Sequence, residues 1–275
     1  LLTLASAQMC GYRGERAASL AACVEFIHTA TLLHDDVVDE SALRRGGASA
    51  NAVWGNKASV LVGDFLFSRA FQLMVETDNL AVLDILAGAS AIIAEGEVMQ
   101  LKSSNNLAVG EDHYLKVVPA KTAALFAAAA ESGALLSGQS EDFVSGLRSY
   151  GENLGIAFQL VDDALDYSGR QALMGKTVGD DFREAKMTLP LILAYARARE
   201  EDKPFWKRVI ETGNQTERDL DRAITLIEQT GAMQETMQRA RAYADIAKAS
   251  LKVMPESDIK HALADIADFC VERAY

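Results

Sequence analysis

The chain has 275 residues, a formal net charge of −12 and a hydrophobic share of 49%. That share is ample for a sizeable core, and the acidity argues against nucleic acid as the main partner, because phosphate backbones are held by clustered Lys and Arg. No apolar run approaches about 18 residues without a polar break, so no transmembrane segment is expected. The scattered Cys10, Cys23 and Cys270, with no CxxC, read as reduced thiols of a cytoplasmic protein.

Only four prolines interrupt a chain rich in alanine and poor in alternating β-branched stretches, which favours helix nearly throughout. Residues 1–11 lack a basic flank and read as a helix entered partway along rather than a signal peptide. Leu1 is not an initiator methionine, so the protein is expected to continue upstream. Residues 19–39 read as one long apolar helix, with Leu20, Val24, Ile27, Thr31 and His34 at three-to-four spacing, and Gly46-Gly47 breaks the pattern. Helices are predicted over 59–77 and 80–101, a loop over 102–110, and helix again over 111–136 and 142–167, stopping near Ser168-Gly169. Residues 169–186 are polar and read as a loop, followed by a helix over 187–199 with Pro190 in its first turn. Thr216 is placed to cap a helix carrying Leu220, Ile224 and Ile227. Ser257 is placed to cap the last, with Ile259, Leu263, Ile266 and Cys270 along one stripe. With no low-complexity linker and no composition shift, residues 1–275 read as one all-α domain.

Two acidic clusters share one spacing, Asp35-Asp36-Val37-Val38-Asp39 and Asp162-Asp163-Ala164-Leu165-Asp166. On a helix, Asp35 and Asp39 point the same way, as do Asp162 and Asp166, while Asp36 and Asp163 sit about 100° around the axis. Each cluster follows an apolar run, and surface acids do not usually grow out of a core-facing stripe. Two carboxylates ~4 Å apart repel by ~1 kcal/mol in water and by ~4 kcal/mol at an effective dielectric of about 20. Hard divalent cations remove that cost, and oxygen-only ligands select Mg²⁺, Ca²⁺ or Mn²⁺ over zinc. One such cluster alone reads equally well as a solvated helix end; two with identical spacing favour a metal and phosphate site.

Basic residues stand beyond the acids: Arg44-Arg45 after the first cluster, Lys176 and Lys186 around the loop after the second, and Lys121-Thr122 opening an Ala-rich stretch. Arg suits bidentate phosphate contacts and Lys point contacts, although each alone is commonly a surface charge. His28 lies two helical turns before Asp35, where a lone histidine is usually a satisfied core residue. No Ser-His-Asp constellation and no Gly-rich phosphate loop after a strand can be assembled.

Together these residues resemble the trans-polyprenyl diphosphate synthases, over nearly the whole chain. The resemblance rests on EFIHTATLLHDDVVD from Glu25 to Asp39, Arg44-Arg45-Gly46, Gly63-Asp64-Phe65-Leu66-Phe67 and Lys121-Thr122-Ala123. It extends through GIAFQLVDDALDY from Gly155 to Tyr167 and GKTVGDD from Gly175 to Asp181. The likeness is greatest to the long-chain enzymes that make quinone side chains, octaprenyl to decaprenyl diphosphate synthases. The family implies an all-α isoprenoid-synthase fold with antiparallel helices around a central cavity, and a homodimer. By resemblance Asp35, Asp39 and Asp162 ligate Mg²⁺, or Mn²⁺ in its place, with Asp36, Asp163 and Asp166 acting directly or through water. Arg44, Lys121, Lys176 and Lys186 hold an allylic diphosphate with Thr122 and Gln159 nearby, and His28 and Arg45 hold isopentenyl diphosphate. The small Ala30 and Thr31 leave room for a long product, as does the run of alanines at 127–130. A long product must eventually reach lipid, which is compatible with a cytoplasmic enzyme peripheral to the membrane. The family's upstream Gly-Lys-x-x-Arg loop would lie just before Leu1.

Competing readings are a short-chain farnesyl or geranylgeranyl synthase, a terpene cyclase of the same fold, and a non-catalytic subunit. A di-iron helical bundle is a further one, since Glu25 and His28 have Glu-x-x-His spacing. Cyclases usually keep one such acidic cluster and need aromatic walls, a silent subunit should lose its clusters, and a di-iron bundle needs a second Glu-x-x-His.

Overall fold

The structure is a computed structural model and describes residues 1–44, 46–168 and 179–273. Among these, the only strands form a short hairpin, β1 (Leu43–Arg44) antiparallel to β2 (Gly47–Ala48), at the break expected from Gly46-Gly47. Everything else regular is helical. The long elements are α2 (Arg16–Val38), α4 (Asn56–Glu76), α5 (Leu80–Ser103), α7 (Ala124–Leu136), α8 (Glu141–Asp166), α13 (Ala232–Ser250) and α14 (Asp258–Glu272). The shorter ones are α1 (Leu2–Met9), α3 (Ala50–Trp54), α6 (Glu111–Val118), α9 (Asp180–Arg183), α10 (Leu189–Ala196), α11 (Lys203–Trp206) and α12 (Asp219–Gln229).

Helix α8 is the axis, packed on α7 and α13 and buried along most of its length. Its approach to α7 depends on two glycines one turn apart. A Cβ on Gly151 would overlap the Phe126 carbonyl, and one on Gly155 the backbone of Ala123. The larger core surrounds α8, α10, α12, α13 and α14, with Tyr150, Leu160, Leu191 and Trp206 fully enclosed. A smaller core joins α2, α4, α5 and α7 through Leu20, Ile27, Met74, Leu86 and Ala128.

Several local expectations change. Residues 111–136 are not one uniform helix, because Pro119–Ala123 forms a π-helical turn between α6 and α7. Pro119 has no N–H to give to the preceding turn, so the widening falls where a helical hydrogen bond is already missing. Thr216 does not cap α12. Its amide and hydroxyl donate to Asp219 at 2.7 and 2.9 Å, and the helix begins only at that aspartate. Ser257 does cap α14, accepting from the Lys260 amide at 3.2 Å. Helix α13 carries no strong sequence signal, because its buried face is mostly alanine: Ala232, Ala240, Ala244 and Ala247 with Thr236 and Met237.

Helices α2 and α4 are long and apolar enough to cross a membrane by length and composition, with mean hydropathies of 1.2 and 1.4; the polar breaks within them hide this from a reading of unbroken apolar runs. Here they pack on each other, tied by the Ser59 hydroxyl donating to the Leu33 carbonyl at 2.9 Å. The far side of α4 exposes Leu61, Phe65 and Val75.

Candidate active site

Both acidic clusters lie at helix C-termini. Asp35 and Asp36 occupy the last turn of α2 with Asp39 as its C-cap, and Asp162, Asp163 and Asp166 close α8. Neither last turn contains a basic residue. The helix macrodipole already places negative charge at that end, so carboxylates there are disfavoured unless cations come from elsewhere.

The six aspartates divide into two groups. Asp36, Asp163 and Asp166 are buried, at 2, 3 and 5% exposure, with their carboxylates engaged by protein. Asp36 accepts from the Arg44 guanidinium at 2.7 and 2.6 Å, which fixes the hairpin against α2. Asp163 accepts from the Tyr114 hydroxyl at 2.5 Å and the Gln159 amide at 2.7 Å. Asp166 accepts from the backbone amides of Asp180 and Asp181 at 3.2 and 3.0 Å, anchoring α9. Asp35, Asp39 and Asp162 are half-buried.

Two lysines link the halves. Lys186, from beyond α9, makes ion pairs with Asp39 at 2.9 Å and with Glu184. The segment after the second cluster therefore reaches the first. Lys121, in the π-helical turn, donates to Glu97 at 2.8 Å and Gln100 at 2.5 Å on α5. Its charge acts on both Asp35 and Asp181, so the two clusters share one electrostatic space.

Burial pushes the Asp35 carboxyl up to about 6, against the pull of Lys121 and with the push of Glu97 and Asp39. Burial also raises Asp163 and Asp166, with Asp181 adding to both, and raises Asp181 against the attraction of Lys186. Burial alone would lower Lys186, but Asp181, Asp39 and Glu184 hold it well above the ordinary lysine range. Such crowding of acids calls for further positive charge. Magnesium is bound through one or two carboxylates, with water and substrate phosphate completing its shell. The oxygen donors Asp35 and Asp39 at one helix end and Asp162 at the other fit that demand. Among the described residues, no three of His, Cys, Asp and Glu form a self-sufficient metal cage.

The remaining sequence-predicted residues are distributed as follows. Thr122 donates to Gln159 at 2.8 Å, beside Lys121. His28 is half-buried on α2, and its carbonyl accepts the Thr31 hydroxyl at 2.9 Å. Ala30 is fully buried and Thr31 half-buried. Arg45, Gly175 and Lys176 lie outside the described residues. Sequence reasoning did not single out Asp181, Glu97, Gln100 or Tyr114. Glu97 and Gln100 share a helix face at i, i+3 and Asp181 ends a quoted motif, so both carried a signal; Tyr114 carried none.

A family model described as polyprenyl synthetase matches residues 1–227. An octaprenyl diphosphate synthase from Escherichia coli is 45% identical over 99% of this chain and 84% of its own length. A decaprenyl diphosphate synthase structure from Rhodobacter capsulatus superposes with a TM-score of 0.95 at 54% identity, covering 100% of this chain and 84% of that one. A polyprenyl synthase from Caulobacter crescentus, solved with calcium and isoprenyl diphosphate, gives a TM-score of 0.97 at 53% identity with the same coverage. The fold is the all-α isoprenoid-synthase fold of these neighbours, and the chain belongs to the polyprenyl synthetase family of prenyl-transferring enzymes.

Proposed function

We propose that this chain joins isopentenyl diphosphate to an allylic diphosphate, head to tail, and repeats the step to make a long all-trans polyprenyl diphosphate for a quinone side chain. The observation that carries the reading is the Lys186–Asp39 ion pair of 2.9 Å, which brings the segment that follows the second cluster onto the first. Asp35, Asp39 and Asp162 would hold Mg²⁺, which supplies charge for a leaving diphosphate when bound. Lys121 and Lys186, with Arg44 held in place by Asp36, would hold that diphosphate and stabilise the charge it gains as the allylic C–O bond breaks. Isopentenyl diphosphate, held by His28, then attacks through its double bond. The proton lost afterwards goes to the departing diphosphate, so the site needs no dedicated protein base. Incubation with Mg²⁺, farnesyl diphosphate and labelled isopentenyl diphosphate, followed by sizing of the dephosphorylated products, tests this. Octaprenyl to decaprenyl alcohols support it, and no elongation refutes it.

A long product is supported by identity of 45% to an octaprenyl synthase and 40% to a nonaprenyl synthase, against 34% to a geranylgeranyl synthase. Ala30, fully enclosed just before the cluster, is where added bulk would occupy interior space. Ala30→Phe should shift the main product to a shorter alcohol while the first condensation continues. An unchanged distribution on thin-layer chromatography would remove Ala30 from the tail's path.

We place a homodimer contact on the outer face of α4, where Leu61 and Phe65 are each 67% exposed and Val75 is 66% exposed along the same side. Large exposed apolar patches of this kind mark protein contacts. Leu61→Asp with Phe65→Asp should weaken self-association at least about 100-fold, because each new carboxylate must either be desolvated in the interface or force the two protomers apart. Sedimentation velocity would reveal a shift to monomer, and an unchanged dimer would put the interface elsewhere.

A further inference from the structure

Four polar side chains from three elements form one hydrogen-bonded chain. The Tyr114 hydroxyl on α6 donates to Asp163 Oδ2 at 2.5 Å. Asp163 Oδ1 accepts from Gln159 Nε2 at 2.7 Å, one turn earlier on α8. Gln159 Oε1 accepts from Thr122 Oγ1 at 2.8 Å in the π-helical turn, next to Lys121. Tyr114 and Asp163 are 5 and 3% exposed, so both are enclosed by protein, while Thr122 and Gln159 are half-buried.

The direction of this chain matters. A side-chain amide can point either its oxygen or its nitrogen at a neighbouring hydroxyl. With both Asp163 oxygens accepting, Gln159 must turn its N–H toward Asp163 and its oxygen toward Thr122. The Thr122 hydroxyl proton is then committed, its lone pairs face outward, and the second Gln159 N–H stays available as a donor. Without the Tyr114 hydroxyl, Asp163 loses a fixed partner and can turn, and the Gln159 amide and Thr122 hydroxyl bonded in series to it shift with it.

We propose that Tyr114 is a positioning residue for the allylic diphosphate, acting through Asp163 to hold the Gln159 amide and Thr122 hydroxyl in one orientation beside Lys121. This rests on the prenyl-transfer reading above, and the experiment separates the two.

Tyr114→Phe keeps the ring and removes one oxygen. It should raise KM for farnesyl diphosphate about tenfold, a change of about 1.4 kcal/mol. The KM for isopentenyl diphosphate should change less than twofold. Calorimetric titration with farnesyl thiodiphosphate, which binds without reacting, should show the same tenfold loss in affinity. In a Gln159→Ala background, Tyr114→Phe should add almost nothing, because a residue acting through another is silent once that one is gone. Tyr150→Phe is the control. Tyr150 is fully buried, donates to the Leu263 carbonyl at 2.7 Å, and lies about 18 Å along α8 from Asp162. Its loss should cost stability without moving either KM.

Four outcomes would overturn the role of Tyr114. These are an unchanged farnesyl diphosphate KM, equal changes for both substrates, full additivity with Gln159→Ala, or the same KM shift from Tyr150→Phe. A wild-type protein that neither elongates farnesyl diphosphate nor binds the thiodiphosphate overturns the functional reading and this proposal together.

Discussion

Asp35→Asn is expected to reduce kcat for elongation by about 10³-fold, the scale seen when one preorganised charge-stabilising group is removed, while leaving the helices in place. The substitution keeps the shape and removes one negative charge from the end of α2. It should also have a signature opposite to ordinary damage. In the metal-free protein the folded Asp35 carboxyl titrates at about 6, because burial outweighs the attraction of Lys121. Between the ordinary carboxylate range and pH 6 the folded state holds a proton that the unfolded chain has released. Stability therefore falls as pH rises through that window, and the cost is fully present above it. Asparagine carries no such cost, so at pH 7.5 without metal the variant should be more stable than wild type by about 1–2 kcal/mol. Thermal unfolding without metal, alongside steady-state kinetics with Mg²⁺, checks both halves. A variant that is inactive and less stable would mean that Asp35 supports the fold instead.

Gly96→Ala should be damaging although Gly96 touches no substrate. A Cβ there would stand 2.6 Å from the Lys121 backbone nitrogen and 2.9 Å from its Cα, closer than real atoms approach. The neighbour is backbone, so the π-helical turn must move and Lys121 with it. Overpacking of this kind costs about 1–3 kcal/mol. A displacement of about 1 Å in a positioning group lowers the rate by about 10²-fold. Gly88, on the same helix, is the matched control, because a Cβ added there would meet nothing within 4 Å. Gly88→Ala should be neutral or stabilising by up to about 1 kcal/mol through helix propensity. If Gly96→Ala kept wild-type kcat/KM, the contact between α5 and the turn would not be what sets Lys121.

The parts of the fold legible in the sequence were those whose signal is local and apolar. The α2 stripe through Leu20 and Ile27, and the end of α8 near Ser168, announce themselves by spacing and stop signals. Helix α13 did not, because alanines pack closely without standing out in a hydrophobic pattern. The π-helical turn depends on how Pro119 is accommodated against α5, and no window of sequence carries that.

The site divides in the same way. The paired spacing of the clusters was visible, but their individual fates were set by tertiary partners. Asp36 became the anchor of Arg44, Asp163 of Tyr114 and Gln159, and Asp166 of the α9 amides. Lys186 reads in the sequence as a single lysine at the end of a polar loop, yet it pairs with Asp39 of the first cluster. Its partner Asp39 lies 147 residues away, beyond any local pattern. No local pattern in α4 separates a core face from an outer one, and only the three-dimensional arrangement leaves Leu61 and Phe65 facing out.

The most direct test is crystallographic: anomalous scattering from Mn²⁺ in crystals grown with farnesyl thiodiphosphate. Manganese peaks are expected on both sides of one diphosphate, against Asp35 and Asp39 on α2 and against Asp162 on α8, with Lys121 and Lys186 on the phosphate oxygens. Manganese bound elsewhere, or a diphosphate seated away from these three carboxylates, would contradict a shared metal and diphosphate site between the two helix ends.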